Sequence, residues 1–237
     1  NGLHDAYKSI LEAFIHSGVH NNTKVNIRWV DTEELEVNDN PDIVFRDIHG
    51  ILIPGGFGDR GIEGKIMSSK YARENDIPFF GICLGMQCAV IDYARHECKM
   101  KAANSTEFNK RTKFPVIDLM NAQKNVKHKG ASMRLGSYRC DVVPGTHASK
   151  AYKKKVVNER HRHRYEFNNK YKKQLVKAGL KISGINEKLK LVEMIEFPGH
   201  PWFVGVQFHP ELKSTVVNVH PLFRDFINAS VKYRDEQ

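Results

Sequence analysis

Long apolar runs are missing from this sequence of 237 residues, of which 41% are hydrophobic and 27% are charged. A helix that crosses a bilayer needs about 20 consecutive apolar residues, so we expect no membrane contact. The N-terminus also lacks the basic start, apolar middle and small-residue cleavage site of a secretory signal. It has no initiating Met either, which leads us to expect a piece of a longer protein.

Cysteine is scarce and its spacing is uninformative for metal binding. The four cysteines stand at positions 83, 88, 98 and 140. No C-x-x-C pair is present, so we predict no zinc site and no other metal site. Four cysteines in a chain of this length do not indicate a disulfide scaffold, and we therefore expect a reducing, cytoplasmic setting.

Positive charge is in excess, with 37 Lys and Arg against 27 Asp and Glu and a formal net charge of +10. Much of the excess lies between residues 150 and 190, which include the run Arg160-His161-Arg162-His163-Arg164. Such a cluster suits nucleic acid, nucleotides or an acidic partner, and it is equally typical of a solvated surface. The sequence lacks a basic platform interleaved with aromatic residues and any known reader motif, so we expect no nucleic-acid partner.

Helical and strand patterns alternate along most of the chain. Helices are predicted over 3–15 (ended by Gly18), 61–74, the segment after Cys83, 169–178 and 221–234, and buried strands over 25–30, 49–54, 77–82, 180–185, 190–197 and 202–208. The stretch 98–160 is less periodic, and we expect loops and short strands there. No internal repeat is present. The pattern favours an α/β fold, with a single domain over 1–237 and a central, mainly parallel (mixed) sheet flanked by helices.

A G-x-C-x-G turn, Gly81-Ile82-Cys83-Leu84-Gly85, joins a predicted buried strand to a predicted helix. A sharp turn of this kind strains its central residue and presents that side chain clear of the sheet, while the flanking glycines let strand and helix approach closely. The thiol would also lie at a helix N-terminus, which favours the thiolate. The alternative is a buried cysteine in a tight turn. The motif alone does not decide between the two.

A nucleophilic thiol needs a base and a group that orients the base. Both are available in Gln207-Phe208-His209-Pro210-Glu211, at the end of another buried strand. An oxyanion would need donors. The backbone N–H of Leu84 is one candidate, and the loop Pro54-Gly55-Gly56-Phe57-Gly58 can supply the second. Three such features at one sheet edge favour the nucleophile.

Five segments in the same order resemble class I (triad-type) glutamine amidotransferases. PGGFG (54–58), GICLGMQ (81–87) and QFHPE (207–211) are similar to that class as a whole. ANSTEF (103–108) and ERHRHRYEFN (159–168) are similar to the glutaminase domains of the CTP synthase family in particular, as is GGFGDRGIEGK. The similarity extends from about residue 3 to residue 224. One departure follows the triad motif, where LKSTVVNV (212–219) lacks the Pro and basic residues common in the family.

The resemblance implies the chemistry and the residues that carry it. Cys83 would be the nucleophile that attacks the side-chain amide of L-glutamine, His209 the general acid and base, and Glu211 the orienting carboxylate. The residues implied to hold glutamine and its oxyanion are Gly56, Phe57, Leu84, Gly85, Met86, Gln87, Glu107 and Arg164. Among these, Glu107 would pair with the substrate ammonium, and Arg164 would grip its carboxylate in a bidentate fork.

The family also couples this reaction to a synthase half, for which we find no segment here. The resemblance implies an N-terminal synthase domain that binds ATP and Mg²⁺ and uses the ammonia to convert UTP to CTP. It further implies activation by GTP and a homo-tetramer, with no cofactor in this chain itself. Three alternatives remain: a glutaminase that serves a different synthase, a nucleic-acid-binding module, and a catalytically silent regulatory domain.

Overall fold

A seven-stranded mixed sheet and a smaller three-stranded sheet organise the residues that this computed structural model describes, which are 7–37, 40–119 and 133–237. The strands are β1 (Ile51–Ile53), β2 (Phe79–Ile82), β3 (Ala103–Ser105), β4 (Phe114–Leu119), β5 (Arg134–Val142), β6 (Val156–His163), β7 (Tyr165–Phe167), β8 (Lys181–Asn186), β9 (Leu191–Glu196) and β10 (Phe203–Val206). The helices are α1 (Lys8–His20), α2 (Thr32–Val37), α3 (Pro41–Val44), α4 (Ile62–Glu74), α5 (Leu84–His96), α6 (His147–Tyr152), α7 (Lys172–Lys177) and α8 (Pro221–Asp235), with a 3-10 helix at Pro210–Lys213.

The large sheet has the order β1-β2-β10-β9-β8-β5-β6. Its parallel pairing is confined to β1, β2 and β10, while the other neighbouring strands run antiparallel. The small sheet has the order β3-β4-β7. The predicted α/β fold with a mixed sheet and flanking helices is thus confirmed, but the large sheet is mainly antiparallel and not mainly parallel as expected. The three parallel strands matter most for function, because parallel neighbours end at the same edge of a sheet.

Helix α5 is the central packing element. All eleven of its residues from Leu84 to Ala94 are buried. Apolar side chains from β2, β9 and β10 pack with it in one core cluster, where the Phe79 and Phe203 rings stack 4.2 Å apart. A second cluster, which includes α1 and α8, covers other residues of the same strands. Burial from both sides explains why these strands appear in the sequence as continuous apolar runs.

Two N-terminal predictions are wrong within the described residues. Helix α1 continues to His20, so Gly18 lies inside it; there Gly18 allows a close approach to the carbonyl oxygen of Thr23, which an added Cβ would meet at 2.7 Å. The segment 25–30 forms no described strand, and Trp29 within it is 50% exposed. Strand propensity reflects fit to a pleated, half-buried surface, and this segment has no described partner strand. Residues 3–6 of the predicted first helix lie outside the described residues.

Later predictions agree better with the structure. The expected hairpin over 180–185 and 190–197 is the antiparallel pair β8 and β9, and α8 matches the last predicted helix. The stretch 98–160 contains the expected short strands, β3 and β4, but its second part differs, because β5 and β6 form a long antiparallel pair. The part of that stretch from 120 to 132 lies outside the described residues.

The turn between β2 and α5 depends on close backbone contact. Cys83 has φ 51° and ψ −99°, a left-handed conformation that is strained for a residue with a side chain. A Cβ on Gly81 would lie 2.7 Å from the carbonyl carbon of Gly85. A Cβ on Gly85 would overlap the carbonyl oxygen of Ile53. The strand-to-helix elbow that the glycines predict is confirmed.

We expect Gly85→Ala to lower the free energy of unfolding by at least about 2 kcal/mol, because overpacking an interior costs on the order of 1–3 kcal/mol or more. Urea unfolding followed by circular dichroism measures the effect. The control is Gly145→Ala, where φ is 76° but no atom lies within 4 Å of the added Cβ. Backbone strain alone costs about 1–2 kcal/mol there. A smaller loss for Gly85→Ala than for the control would contradict the close-contact explanation.

Candidate active site

The elbow places Cys83 between β2 and the first turn of α5, with 3% of its surface exposed. Its backbone N–H donates to the carbonyl of Val206 at 2.7 Å, which fixes the elbow to the end of β10. Its Sγ accepts a hydrogen bond from Nε2 of Gln207 at 3.7 Å. The thiol is therefore held where two parallel strands end.

The imidazole of His209 and the carboxylate of Glu211 lie just beyond β10. His209 Nδ1 and Glu211 Oε1 are 2.7 Å apart. The backbone N–H of His209 donates to the carbonyl of Arg160 at 2.8 Å, so β6 holds this turn in place. The second carboxylate oxygen of Glu211 is buried without a hydrogen-bond partner in the described chain. Glu211 therefore directs its hydrogen bonding at the imidazole.

The charge state of His209 reflects its neighbours. Burial of the ring lowers the pKa, but interactions with Cys83 and Glu211 outweigh it and raise the pKa of His209 to about 10. Nε2 of this ring is buried and makes no hydrogen bond to any described residue. Gly55 fits against both catalytic candidates, since its added Cβ would lie 2.6 Å from Cε1 of His209 and 3.5 Å from Cβ of Cys83. The fold thus brings Cys83, His209 and Glu211 together.

Two backbone amides lie free beside the thiol. Leu84 is the first residue of α5, and Gly56 lies in the loop that leaves β1. Neither amide donates to a described residue. The two residues are adjacent, because a Cβ on Gly56 would lie 3.2 Å from Cδ2 of Leu84. Two unbonded amides next to the elbow are what stabilisation of an oxyanion requires, and the predicted role of this pair stays a prediction.

Glu107 contacts the glycine loop that carries Gly56, and the charge of Arg164 acts on it. Burial raises the pKa of Glu107, while a hydrogen bond from the Gly58 amide and the charge of Arg164 lower it. That amide donates to Oε1 of Glu107 at 3.4 Å. Arg164 is half-buried and its Nε has no hydrogen-bond partner among the described residues. The structure therefore offers a carboxylate that senses the charge of a guanidinium whose buried Nε donates to no described residue.

Phe57 stands at the outer rim of this site. It is 59% exposed, in the glycine loop that carries Gly56. The guanidinium carbon of Arg162 lies 5.9 Å from the centre of its ring, within the range of a cation–π contact. Phe57 thus borders the mouth and not the floor of the site.

The side chains of Met86 and Gln87 lie beneath the site. Met86 is fully buried and packs against Gly205, and Gly85 presents only backbone, so neither offers a side chain to a ligand. Gln87 is also buried; its Nε2 donates to the carbonyl of Tyr165 at 3.2 Å and to Oε1 of Gln207 at 3.3 Å. Gln87 therefore connects the elbow helix to β7 and β10. Its predicted contact with glutamine stays a prediction.

Gln207 is a site residue to which the sequence analysis assigned no role. Its amide nitrogen contacts Cys83 Sγ, and its amide oxygen accepts from Gln87. The feature of the sequence that could have identified it is its place in the motif QFHPE, two residues before His209. A fully buried amide in an apolar strand is costly unless it is hydrogen-bonded, which indicates a defined role.

The described ranges contain no helix long and apolar enough to cross a membrane. They also contain no group of three or more His, Cys, Asp or Glu side chains arranged to hold a metal ion. The basic run of β6 alternates, with Arg160 and Arg162 exposed and His161 and His163 buried. Only half of that run therefore contributes to the positive surface.

Comparison with known proteins points to one family. The family model "Glutamine amidotransferase class-I" matches residues 3–229. The CTP synthase of Chloroherpeton thalassium is 59% identical over 233 residues, 98% of this chain and 42% of that protein. The CTP synthase of Clostridium kluyveri is 57% identical over 229 residues, 97% of this chain and 42% of that protein. The chain thus spans less than half the length of these relatives.

Solved structures agree with this assignment. The glutaminase domain of Trypanosoma brucei CTPS, determined with bound acivicin, matches with a TM-score of 0.90 and 38% identity. The match covers 98% of this chain and 90% of that one. A glutamine amidotransferase from Thermotoga maritima matches with a TM-score of 0.56 at 13% identity, over 96% of this chain and 93% of that one, which shows a shared fold alone.

We expect Glu211→Gln to lower the pKa of His209 from about 10, because the carboxylate that favours the imidazolium is removed. A folded pKa above the ordinary 6.5 means that the protonated ring stabilises the fold fully below about 6.5 and that this contribution is lost as pH rises through about 10. Glu211→Gln should therefore narrow the pH range over which the protonated ring stabilises the fold. A pH titration of the His209 ring by NMR measures the change. Glu187→Gln, at an exposed ion pair with Lys190, is the control. An unchanged His209 midpoint in Glu211→Gln would contradict the coupling.

Proposed function

Since the chain belongs to the class-I glutamine amidotransferase family, we propose that it hydrolyses L-glutamine through a thioester on Cys83. The observation that carries this proposal is the convergence at one sheet edge of a strained elbow cysteine and a partly buried His209–Glu211 pair, joined at 2.7 Å. The similarity to the Trypanosoma brucei glutaminase domain supports it. The roles below are assigned to the described side chains on the basis of this geometry.

The first step forms the thioester. The Cys83 thiolate attacks the amide carbon of the glutamine side chain, and the C=O electron pair moves to oxygen. The free N–H groups of Gly56 and Leu84 donate hydrogen bonds to that negatively charged oxygen. Preorganised donors of this kind are each worth roughly 100- to 1,000-fold in rate. The protonated Nε2 of His209 then gives its proton to the amide nitrogen, the C–N bond breaks and ammonia leaves.

The second step releases glutamate. Neutral His209 removes a proton from water, and the oxygen adds to the thioester carbon. The new tetrahedral intermediate uses the same oxyanion donors. When it collapses, the C–S bond breaks and the thiolate of Cys83 returns beside an imidazolium. Glu211 keeps the ring oriented through both transfers by its bond to Nδ1.

Glu107 and Arg164 recognise the amino-acid end of the substrate in this proposal. The carboxylate of Glu107 pairs with the α-ammonium, and the guanidinium of Arg164 binds the α-carboxylate. The unpartnered, buried Nε of Arg164 supports this assignment, because a buried donor without a partner is costly until a ligand fills the position. Glutamine itself thereby completes the hydrogen bonding of the site.

The ammonia is used elsewhere in the full protein, according to the second part of this proposal. The curated relatives that match are CTP synthases more than twice as long as the matched region. We infer that a synthase domain, with ATP and Mg²⁺, transfers the ammonia to UTP. Activation by GTP and a homo-tetramer follow from the same resemblance, and a cytoplasmic location follows from the cysteine content. All three remain predictions.

Cys83→Ser is expected to abolish covalent labelling by 6-diazo-5-oxo-L-norleucine and to lower glutaminase activity by about 1,000-fold or more, because a triad without its nucleophile keeps only residual catalysis. Mass spectrometry of the labelled chain locates the adduct. Cys98→Ser is the matched control, since Cys98 is a partly exposed free cysteine away from the triad. An adduct on any cysteine other than Cys83, or full activity in Cys83→Ser, would refute the mechanism.

Arg164→Met is expected to raise KM for glutamine by about 100-fold with a smaller effect on kcat, because a charged hydrogen-bond pair to a desolvated carboxylate is worth on the order of 3 kcal/mol. Steady-state glutaminase kinetics separate the two constants. Arg160→Met removes an exposed charge from the neighbouring strand β6 and serves as control. An unchanged KM in Arg164→Met would remove Arg164 from the substrate site.

A further inference from the structure

A buried charged cluster that the mechanism does not use lies behind the substrate-binding arginine. It consists of Arg134, Glu166 and Glu193, and their exposures are 4%, 2% and 0%. Burying three ionisable side chains is costly unless they are well paired. A cluster of this composition therefore indicates a specific task in the fold.

Arg134 contacts both carboxylates at once. Its Nη1 donates to Oε1 of Glu166 at 3.1 Å, and its Nη2 donates to Oε1 of Glu193 at 2.8 Å. The ring of Tyr138 lies 4.5 Å from the guanidinium carbon. A planar guanidinium has donors directed to two sides and stacks on an aromatic ring, whereas an ammonium group does neither. Arginine is thus the side chain that fits this position.

The two carboxylates belong to different sheets. Glu193 lies on β9 of the seven-stranded sheet, and Glu166 lies on β7 of the three-stranded sheet. The chain passes from the first sheet to the second between His163, the end of β6, and Tyr165, the start of β7. Arg164 is the single residue of that connection. The direction of the Arg164 side chain is therefore set by how the two sheets are held together.

Arg134 lies at the same crossing. In the pairing of β5 with β6 it is opposite His163, the residue just before Arg164. Its partner Glu166 follows Arg164 by two residues. We propose that Arg134 is a positioning residue for glutamine binding, which joins the two sheets through Glu193 and Glu166 and so fixes the direction of the Arg164 side chain. This inference rests on the proposed role of Arg164 in binding the substrate carboxylate.

The same cluster is connected to the nucleophile through backbone contacts. The carbonyl of Glu193 accepts from the N–H of Gln207 at 2.9 Å, and the side chain of Gln207 contacts Cys83. The carbonyl of Tyr165 accepts from Gln87 of the elbow helix at 3.2 Å. The position of Arg164 relative to Cys83 is thus determined by a short series of buried contacts.

Glu166 can be replaced without leaving an unpaired charge in the cluster. Burial raises the pKa of Glu166 to about 8 and also raises that of Glu193, while Arg134 opposes both shifts. Loss of Glu166 therefore leaves Arg134 paired with Glu193 and creates no isolated buried charge. Loss of Arg134 would instead remove the guanidinium that binds both carboxylates, leaving Glu166 with only His163 at 3.5 Å and Glu193 with only His161 at 3.7 Å as ion-pair neighbours among the described residues, which is a folding hazard.

The test compares two reagents at the same cysteine. 6-Diazo-5-oxo-L-norleucine carries an α-carboxylate for Arg164 to bind, whereas iodoacetamide carries none. Rates of Cys83 alkylation are followed by peptide-resolved mass spectrometry in Arg134→Lys and Glu166→Leu. Arg139→Met, on the exposed part of β5 and paired with Asp141, is the control. Thermal unfolding checks that each variant is folded.

We expect both variants to react at least about tenfold more slowly with the diazo reagent, since small misplacements at a binding site cost up to about 100-fold. The iodoacetamide rate at Cys83 should change less than twofold, and the control should match the original chain with both reagents. Equal slowing with both reagents would mean a general structural role and would overturn the proposal, as would an unchanged diazo rate in folded Arg134→Lys.

Arg164→Met distinguishes this failure from failure of the proposed function. If Arg164→Met slows the diazo reagent selectively but the Arg134 and Glu166 variants do not, only the positioning role is wrong. If Arg164→Met itself has no selective effect, the assignment of Arg164 as a ligand is wrong, and the positioning role is overturned with it.

Discussion

Backbone contact between β1, β2 and α5 is the constraint on which the site depends. Gly81 and Gly85 remove the side chains that would separate these elements, and the carbonyl of Ile53 occupies the space that a Cβ on Gly85 would need. This contact forces Cys83 into a left-handed conformation between strand and helix. The strain is maintained because α5 is buried along most of its length, so the thiol is presented by a helix held on several sides by packing.

The antiparallel half of the sheet provides the rest of the site. The turn with His209 is anchored to β6, Gln207 is anchored to β9, and Arg164 is placed where the chain leaves β6 for the small sheet. The parallel strands thus present the nucleophile, and the antiparallel strands hold the base and the proposed substrate clamp. The buried charges of Arg134 on β5, Glu166 on β7 and Glu193 on β9 link the two sheets, which is consistent with a site whose groups must keep fixed distances.

Prediction of strands from the sequence failed where the apolar residues of a segment are exposed or its polar residues are buried. The segment 25–30 has strand-like composition but remains outside both described sheets. Strand β6 is the reverse case, because its inward positions are Val157, Glu159, His161 and His163. Three of these four side chains are polar, so a search for apolar alternation could not find the strand. Each of the three makes a hydrogen bond within the fold, Glu159 with Tyr152 at 3.0 Å and His161 with His163 at 2.8 Å, which offsets part of the cost of their burial.

The sequence by itself determined the elbow, the His209–Glu211 pair and the α/β class, because each depends on residues close together in the chain: a turn that only glycines permit, a histidine two residues from its carboxylate, and runs of apolar residues. The tertiary structure alone decided which strands pair in parallel, that Met86 and Gln87 lie beneath the site, and that Arg134 joins Glu166 to Glu193. The two Arg134 contacts link residues 32 and 59 positions apart, and no local propensity encodes them. They arise only when two sheets pack and buried charges must find partners.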